Sequence, residues 1–238
     1  MTLYRDEGVV LRTWKLGEAD RIIVVFTRGR GKVRAVAKGV RKTKSKFGAR
    51  LEPLSHVALQ LYEGRELDIV TQAESIDHYR PIRDDLDRLG RGVSMLEAVD
   101  QLSPDREPNP AVLRMLVGGL DTLAARSGPM VVPAFFLKLL SLEGFRPEVH
   151  ECVSCGVAEN LVAFDLEVGG VLCRGCRRGS PISVEALALL QRVLGGQLAS
   201  VLEEPASAAT HDLDVLATRA MEHHLERRLR SVAVLDHT

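Results

Sequence analysis

The chain begins with short stretches in which apolar and polar positions alternate, the period of a β-strand. "EGVVLRTWKL" is a strand candidate centred on Val9, Leu11 and Thr13, and "LGEAD" reads as the turn after it. "RIIVVFTR" follows, rich in β-branched residues. Gly29 and Gly31 mark a tight turn. In "KVRAVAKGV", Val33, Ala35 and Ala37 share one face, while Lys32, Arg34 and Lys38 lie mainly on or near the other. "HVALQLYEG" and "ELDIVTQAE" supply two more strands, hinged at Gly64. Five strands in so short a span predict a small closed barrel.

From Asp84 the period lengthens to that of a helix. "DDLDRLGRGVSMLEAVDQL" sets Leu86, Leu89, Val93, Leu96 and Val99 on one stripe. The acids Asp84, Asp85 and Asp87 stand where a helix start needs caps and negative charge. Two further helices, "AVLRMLVGGLDTLAAR" and "MVVPAFFLKLLSLEGF", are punctuated by Gly128, Pro129 and Gly144. "ISVEALALLQRVLGGQLASVL" continues the helical pattern. A final helix is expected from His211 to Ser231, with the stripe Leu213, Ala217, Met221, Leu225, Leu229 and Val232. The fold class predicted is α+β: a β-barrel over residues 1–80, then a helical domain over 81–238 with a cysteine-bearing insertion at about 150–180.

Charge changes this picture. The 238 residues balance at a formal charge of zero, with 32 Lys and Arg against 32 Asp and Glu. Residues 1–80 nevertheless carry 16 cations against 10 acids. Ten of those cations fall between Arg28 and Arg50, with no acid among them. A basic front on an acidic remainder is the electrostatic footprint of a polyanion partner. Lys32, Arg34, Lys38, Arg41, Lys42, Lys44, Lys46 and Arg50 are the candidate phosphate contacts. Phe47, inside the basic loop "RKTKSKFGAR", either stacks a base or tucks the loop onto the barrel. Trp14 reads as a plug at a barrel end, with a stacking platform as the alternative.

All four cysteines, Cys152, Cys155, Cys173 and Cys176, stand in the pattern C-x2-C-x17-C-x2-C. Two C-x-x-C turns that each aim two sulfurs at one ion predict a four-thiolate zinc site. Four thiolates fill a tetrahedron, so the site is structural. His150 lies nearby and reads as a surface residue. Arg174, Arg177 and Arg178 either contact nucleic acid or screen the thiolate charge.

Motifs of catalysis are lacking: the chain has no G-x-S-x-G and no H-E-x-x-H, and Gly29–Lys32 lacks the spacing of a phosphate loop. The N-terminal "MTLYRDEGVVLR" is charged where a signal peptide is apolar, and the longest apolar stretch is broken by Pro133 and Lys138. The expectation is a soluble, cytoplasmic, noncatalytic protein.

"LGEADRIIVVFTRGRGKVRAVAKGVRKTKSKFGARLEP", followed by "LQLYEGRELDIVTQAE", resembles the N-terminal domain of the RecO family of bacterial DNA repair and recombination mediators. The four cysteines and the terminal "HHLERRLRSVAVL" are similar to that family as well. The resemblance implies an OB-fold barrel followed by a helical domain with a four-cysteine zinc module. It implies binding of single- and double-stranded DNA and annealing of complementary strands. It also implies work in the RecF pathway with RecR and with single-stranded DNA-binding protein, so that recombinase loads onto coated strands. Arg219, Arg227, Arg228 and Arg230 on the final helix are candidates for holding that protein's acidic, apolar-ended tail, with Arg227 and Arg228 foremost. The competing class is a zinc-ribbon factor that uses the same barrel on RNA or in transcription.

Overall fold

The computed structural model of the chain describes residues 2–45, 47–229 and 231. The chain divides into two compact units, residues 1–125 rejoined at Leu229, and residues 126–228.

The first unit is built on a closed barrel. Strands β1 (Leu3–Leu16), β2 (Asp20–Thr27), β3 (Gly31–Ala37), β4 (His56–Tyr62) and β5 (Asp68–Asp77) run in the order β1-β2-β3-β5-β4. Neighbours are antiparallel except β3 and β5. This is the OB-like barrel that the alternating pattern predicts, and closure leaves no long strand edge. Val10, Ile23, Val25, Val33, Ala35, Val57, Leu59 and Leu61 fill the interior. Phe47 and Leu51, from the β3–β4 connection, complete it. A bulge in β1 between Val10 and Arg12 resets the alternation, so Arg12, Trp14 and Leu16 turn outward.

Helices cover part of the barrel's outside. A single turn, α1 (Arg80–Arg83), leads into α2 (Leu86–Leu102) and α3 (Pro110–Ala125). Asp85 caps α2, its carboxylate accepting the Arg88 amide at 3.1 Å, and Asp84 pairs with Arg80. Asp85, with Asp87 in the first turn, thus serves the start of α2 as expected, whereas Asp84 stands at the end of α1. Helices α2 and α3 pack on β1, which buries Val9, Val24 and Phe26 on the outward side of their strands. The stripe on α2 differs from the expected one. Gly92, Met95, Leu96 and Val99 are buried, whereas Leu86 is 73% and Val93 36% exposed. A Cβ at Gly92 would stand 3.0 Å from Leu54 and 3.2 Å from Ile82. The close face therefore centres on a residue that hydropathy does not count. The expected division at residue 80 marks the change from strand to helix; the packing boundary falls after Ala125, because α2 and α3 belong to the barrel's unit.

One buried carboxylate clips this unit together. Asp68 is fully buried. It accepts from the Tyr4 hydroxyl, from the Gly64 amide at 3.0 Å and from the Arg106 guanidinium at 2.8 Å. The α2–α3 connection that carries Arg106 runs along β3, where the Arg106 amide donates to the Lys32 carbonyl at 2.9 Å. Gly31, with φ of +65°, lies so close to the Glu107 carbonyl that a Cβ there would collide with it.

The second unit holds α4 (Val131–Leu142), a three-stranded sheet of β6 (Leu161–Asp165), β7 (Gly170–Cys173) and β8 (Ser180–Pro181), then α5 (Val184–Leu194), α6 (Leu198–Val201) and α7 (Ala208–Leu225). Helix α4, nearly all apolar, packs on α5 and α7. Ser207 and Thr210 form a reciprocal capping box at the start of α7. Leu213, Ala217 and Met221 are its buried stripe, as predicted. The helix ends at Leu225, short of the expected Ser231, because Glu226 takes a left-handed conformation with φ of +53°. Leu229 is buried in the first unit, and Val232 lies outside the described residues. Among the described residues no helix is long and apolar enough to cross a membrane.

Burial alone would raise the Asp68 pKa, but the Tyr4, Gly64 and Arg106 donors outweigh it and hold the carboxyl below its ordinary value. The folded state therefore favours the charged form. That share of stability is present at neutral pH and is lost as pH falls through the depressed folded pKa. Asp68→Ala is expected to lower stability by about 2–4 kcal/mol in urea unfolding. It should also flatten the decline in stability below about pH 4.

Candidate nucleic-acid interface and metal centre

The structure sorts the basic run into two groups. Arg28 approaches Glu7 at 3.6 Å, and Arg30 pairs with Glu63 at 3.1 Å while its guanidinium covers the Tyr4 ring. Lys32 donates to the Asp100 carbonyl at 2.7 Å and lies 3.6 and 3.3 Å from the Asp100 and Asp105 carboxylates. Its side chain is 13% exposed. Lys32 therefore does not stand ready for a phosphate. It joins the barrel to α2 and the loop after it, a correction to its expected role.

From Arg34 to Lys44 the cations face solvent. Arg34, Lys38, Arg41, Lys42 and Lys44 are all exposed, and none forms an ion pair among the described residues. Arg34 lies with its guanidinium 5.8 Å from the Trp14 ring centroid. Arg41 donates through its backbone to Ala19 at 2.9 Å and through its guanidinium to the Gly17 carbonyl at 3.2 Å. The Gly39 amide donates to the Asp20 carboxylate at 2.7 Å. These bonds lay the basic loop along the β1–β2 turn. Five exposed cations held this close repel one another, and a polyanion relieves that repulsion. Lys46 lies outside the described residues. Arg50 is partly buried and donates to the Phe47 carbonyl at 3.3 Å.

Phe47 is 1% exposed and belongs to the barrel core. Of the two readings of this residue, the structure takes the tucking one: Phe47 anchors the loop and leaves no ring face for a base. Trp14 is the reverse case. It is partly exposed on the outside of β1, with the Arg12 guanidinium 5.1 Å from its ring centroid, so it does not plug the barrel.

In the second unit the two C-x-x-C turns meet. The sulfurs of Cys152, Cys155, Cys173 and Cys176 all lie within 4.8 Å of one another, and those of Cys155 and Cys173 are 3.7 Å apart. A tetrahedron with metal–sulfur bonds of about 2.3 Å has edges of about 3.8 Å, so the four thiols can hold one ion. Strand β7 delivers Cys173, and the Cys152 carbonyl accepts the Gly156 amide at 2.8 Å to close the first turn. A bond from the Cys173 backbone amide pulls the Cys152 thiol down to about 6, whereas bonds from Cys155 and Cys173 push the Cys176 thiol up to about 12. Four thiols this crowded cannot all ionise without a cation between them. Of the neighbouring arginines, Arg178 pairs with Asp165 at 2.6 Å, while Arg174 and Arg177 are not buried. The His150 amide is bonded to Glu148 and its side chain is exposed, as expected for a surface residue.

Arg227 and Arg228 lie past the end of α7, not along its face, and are exposed. With Arg219 they border a shallow surface that also holds Glu167, Glu222 and Glu226. Arg230 is outside the described residues.

Comparison with known proteins turns this geometry into a lineage. The family model described as Recombination protein O N terminal matches residues 1–79, and that described as Recombination protein O C terminal matches residues 83–233. The chain belongs to the RecO family. Among its relatives is the DNA repair protein RecO of a Nocardioides species, 44% identical over 98% of this chain and 99% of that one. The DNA repair protein RecO of Streptomyces griseus is 44% identical over 99% and 100% of the two chains, and that of Thermobifida fusca 40% over 99% of each. This RecO-family chain is thus a DNA repair protein with an OB-like barrel and a four-cysteine cluster able to hold a metal.

Sequence reasoning about this RecO chain missed one further feature. A groove of about 420 Å³ in the second unit is lined by Leu137, Leu140, Phe145, Phe164, Leu216 and His224. Phe145 is 53% exposed, and its ring centroid lies 3.5 Å from that of His224. His224 is partly buried, and burial lowers its pKa. An aromatic after a glycine at a helix end was the available signal.

Lys32→Ala should lower the melting temperature, because it strips a buried partner from Asp100, while Lys42→Ala should leave stability within about 0.5 kcal/mol. The purified chain should carry one metal ion by elemental analysis, and Cys155→Ser should lose it and destabilise the second unit.

Proposed function

We propose that this protein is a noncatalytic recombination mediator, which binds single- and double-stranded DNA through its basic loop and anneals complementary strands. The observation that carries this reading is the set Arg34, Lys38, Arg41, Lys42 and Lys44, exposed and without acidic partners among the described residues, on an OB-like barrel of the RecO family. Such barrels bind single strands along cationic grooves. Lys46 and Arg50 extend the set in sequence. The mechanism requires no bond chemistry. Phosphates of two strands are neutralised on one positive surface, their repulsion falls, and complementary segments pair faster. Contacts of this kind read backbone and not bases, so sequence preference is weak.

The metal is best read as one structural zinc. Four thiolates fill a tetrahedral shell, which leaves no position for water or substrate. Zinc in such a site stabilises the fold around it and takes no part in a reaction. The partners that fit a cytoplasmic mediator are DNA, RecR and single-stranded DNA-binding protein. The last would be held by its acidic tail, with Arg227 and Arg228 meeting its charges and the apolar groove beside Phe145 taking its end. Glu167, Leu166 and His223 border both features, so one short tail can reach from the cations to the groove.

The first test is annealing of two complementary oligonucleotides across a salt series, without nucleotide. Acceleration should fade with salt, and the log–log slope of single-strand affinity should be about 0.7 per phosphate contact. Lys38, Lys42 and Lys44 changed together to Glu should cut DNA affinity more than about tenfold while metal content stays the same. Unchanged affinity in that variant would sink the reading; a preference for RNA in competition would favour an RNA-binding factor. Arg227 and Arg228 changed to Glu should weaken binding of a fluorescent tail peptide, and equal binding would remove these two residues from the tail site.

A further inference from the structure

We infer that Trp14 is a base-stacking platform, through which this barrel holds an unpaired strand more tightly than a duplex. The inference rests on the DNA-binding reading above and deepens it by naming the residue that meets an unpaired base.

The geometry begins with strand register. Arg12, Val24 and Arg34 stand in one row across β1, β2 and β3, and Trp14, Ile22 and Val36 stand in the next. Ile23, Val25 and Ala35, at the alternating positions, fill the core. Both rows therefore face outward. Where α2 and α3 pack, the outward residues are fully covered: Val9, Val24 and Phe26 are 0% exposed. The cover thins toward the β1–β2 turn. Trp14 and Val36 are partly exposed there, Leu16 is 39% exposed, and Arg34 is open to solvent.

This leaves an apolar strip of Trp14, Leu16 and Val36 on the outside of the barrel, in water, with guanidinium groups of Arg12 and Arg34 5.1 and 5.8 Å from the indole centroid. A plain structural role would put the indole against other side chains of a core. Instead, besides Ile22 opposite it on β2, it meets the guanidinium of Arg12, which pairs with Asp100 at 2.6 Å, and that of Arg34, which has no acidic partner among the described residues. At the end of the strip the loop with Lys38, Arg41 and Lys42 is bound to the turn Gly17–Ala19. Apolar ring and cations thus share one outward face, an arrangement that suits single strands. Bases need a π-face and the phosphates between them need charge. In barrels of this class the face of strands 2 and 3 and the β1–β2 loop form the oligonucleotide surface. A base that stacks on Trp14 takes the place of the Arg34 guanidinium on the ring, and that guanidinium meets the neighbouring phosphate, while Arg12 stays paired with Asp100. In a duplex the bases are already stacked on one another, so the platform has nothing to receive.

Trp14 is the single tryptophan of the chain, so its fluorescence reports this contact directly. The experiment titrates the full chain with oligo-dT while reading indole emission, and in parallel reads the anisotropy of a dye-labelled oligo-dT and of a labelled duplex. The expected result is indole quenching in step with the anisotropy rise. Trp14→Ala should weaken oligo-dT binding about tenfold and duplex binding by less than about twofold, with Trp14→Phe in between. Oligo-dT binding at normal affinity, with indole emission unchanged and Trp14→Ala equal to the parent, would overturn the platform and leave the DNA-binding reading standing. No anisotropy rise with either DNA would bring down both. The parent chain's quenching needs no substitution, so a variant that fails to fold does not remove the test.

Discussion

The buried charge of Asp68 is the constraint around which the barrel's unit is arranged. A carboxylate with no exposed surface is tolerated only when donors surround it. Those donors come from the first strand (Tyr4), from the turn before β5 (Gly64) and from the loop after α2 (Arg106). One anion thereby fixes strand to strand and helix connection to barrel. With the α2–α3 connection laid on β3, Asp100 and Asp105 come within reach of Lys32, and that cation is neutralised. The cations from Arg34 to Lys44 lie beyond that reach and stay exposed. Which of these cations serve the fold and which stay exposed follows from where a single loop is tied down.

Much of this was legible in the residues. The period-2 pattern pointed to five strands and a closed barrel, because each strand has one face in a core and one outside. Cysteine spacing announced a four-sulfur cluster able to hold a metal, because two C-x-x-C turns have few other uses together. What the residues hid has a common physical cause. Phe47 sits among lysines in sequence, yet the chain folds back and buries its ring. Gly92 is the centre of a packed helix face, and hydropathy assigns it no side. Trp14 is turned outward by a bulge at Leu11, and alternation cannot register an extra residue. In each case a local geometry set by one residue reassigns the side chains around it.

The candidate site was partly legible for the same reason. A run of ten cations marks where positive charge concentrates in the chain without showing which members the fold leaves exposed. Pairing depends on acids far along the chain: Glu63 lies 33 residues from Arg30, and Asp100 lies 68 from Lys32. Arg227 and Arg228 were placed on a helix because "HHLERRLR" has no glycine or proline to end it. Glu226 ends it all the same by entering the left-handed region, a conformation sequence rarely announces for a glutamate.

The return of the chain at Leu229 has a mechanical meaning. Residues 126–228 are entered from Ala125 and left toward Leu229, and the Ser231 amide and hydroxyl are then bonded to Glu97 on α2 at 3.0 and 2.6 Å. The unit with the cysteine cluster is therefore an excursion moored at both ends and not a tail. A protease that nicks one junction leaves the two units covalently joined through the other, and tension applied to the second unit is shared by two moorings, one of them fastened to α2 by hydrogen bonds.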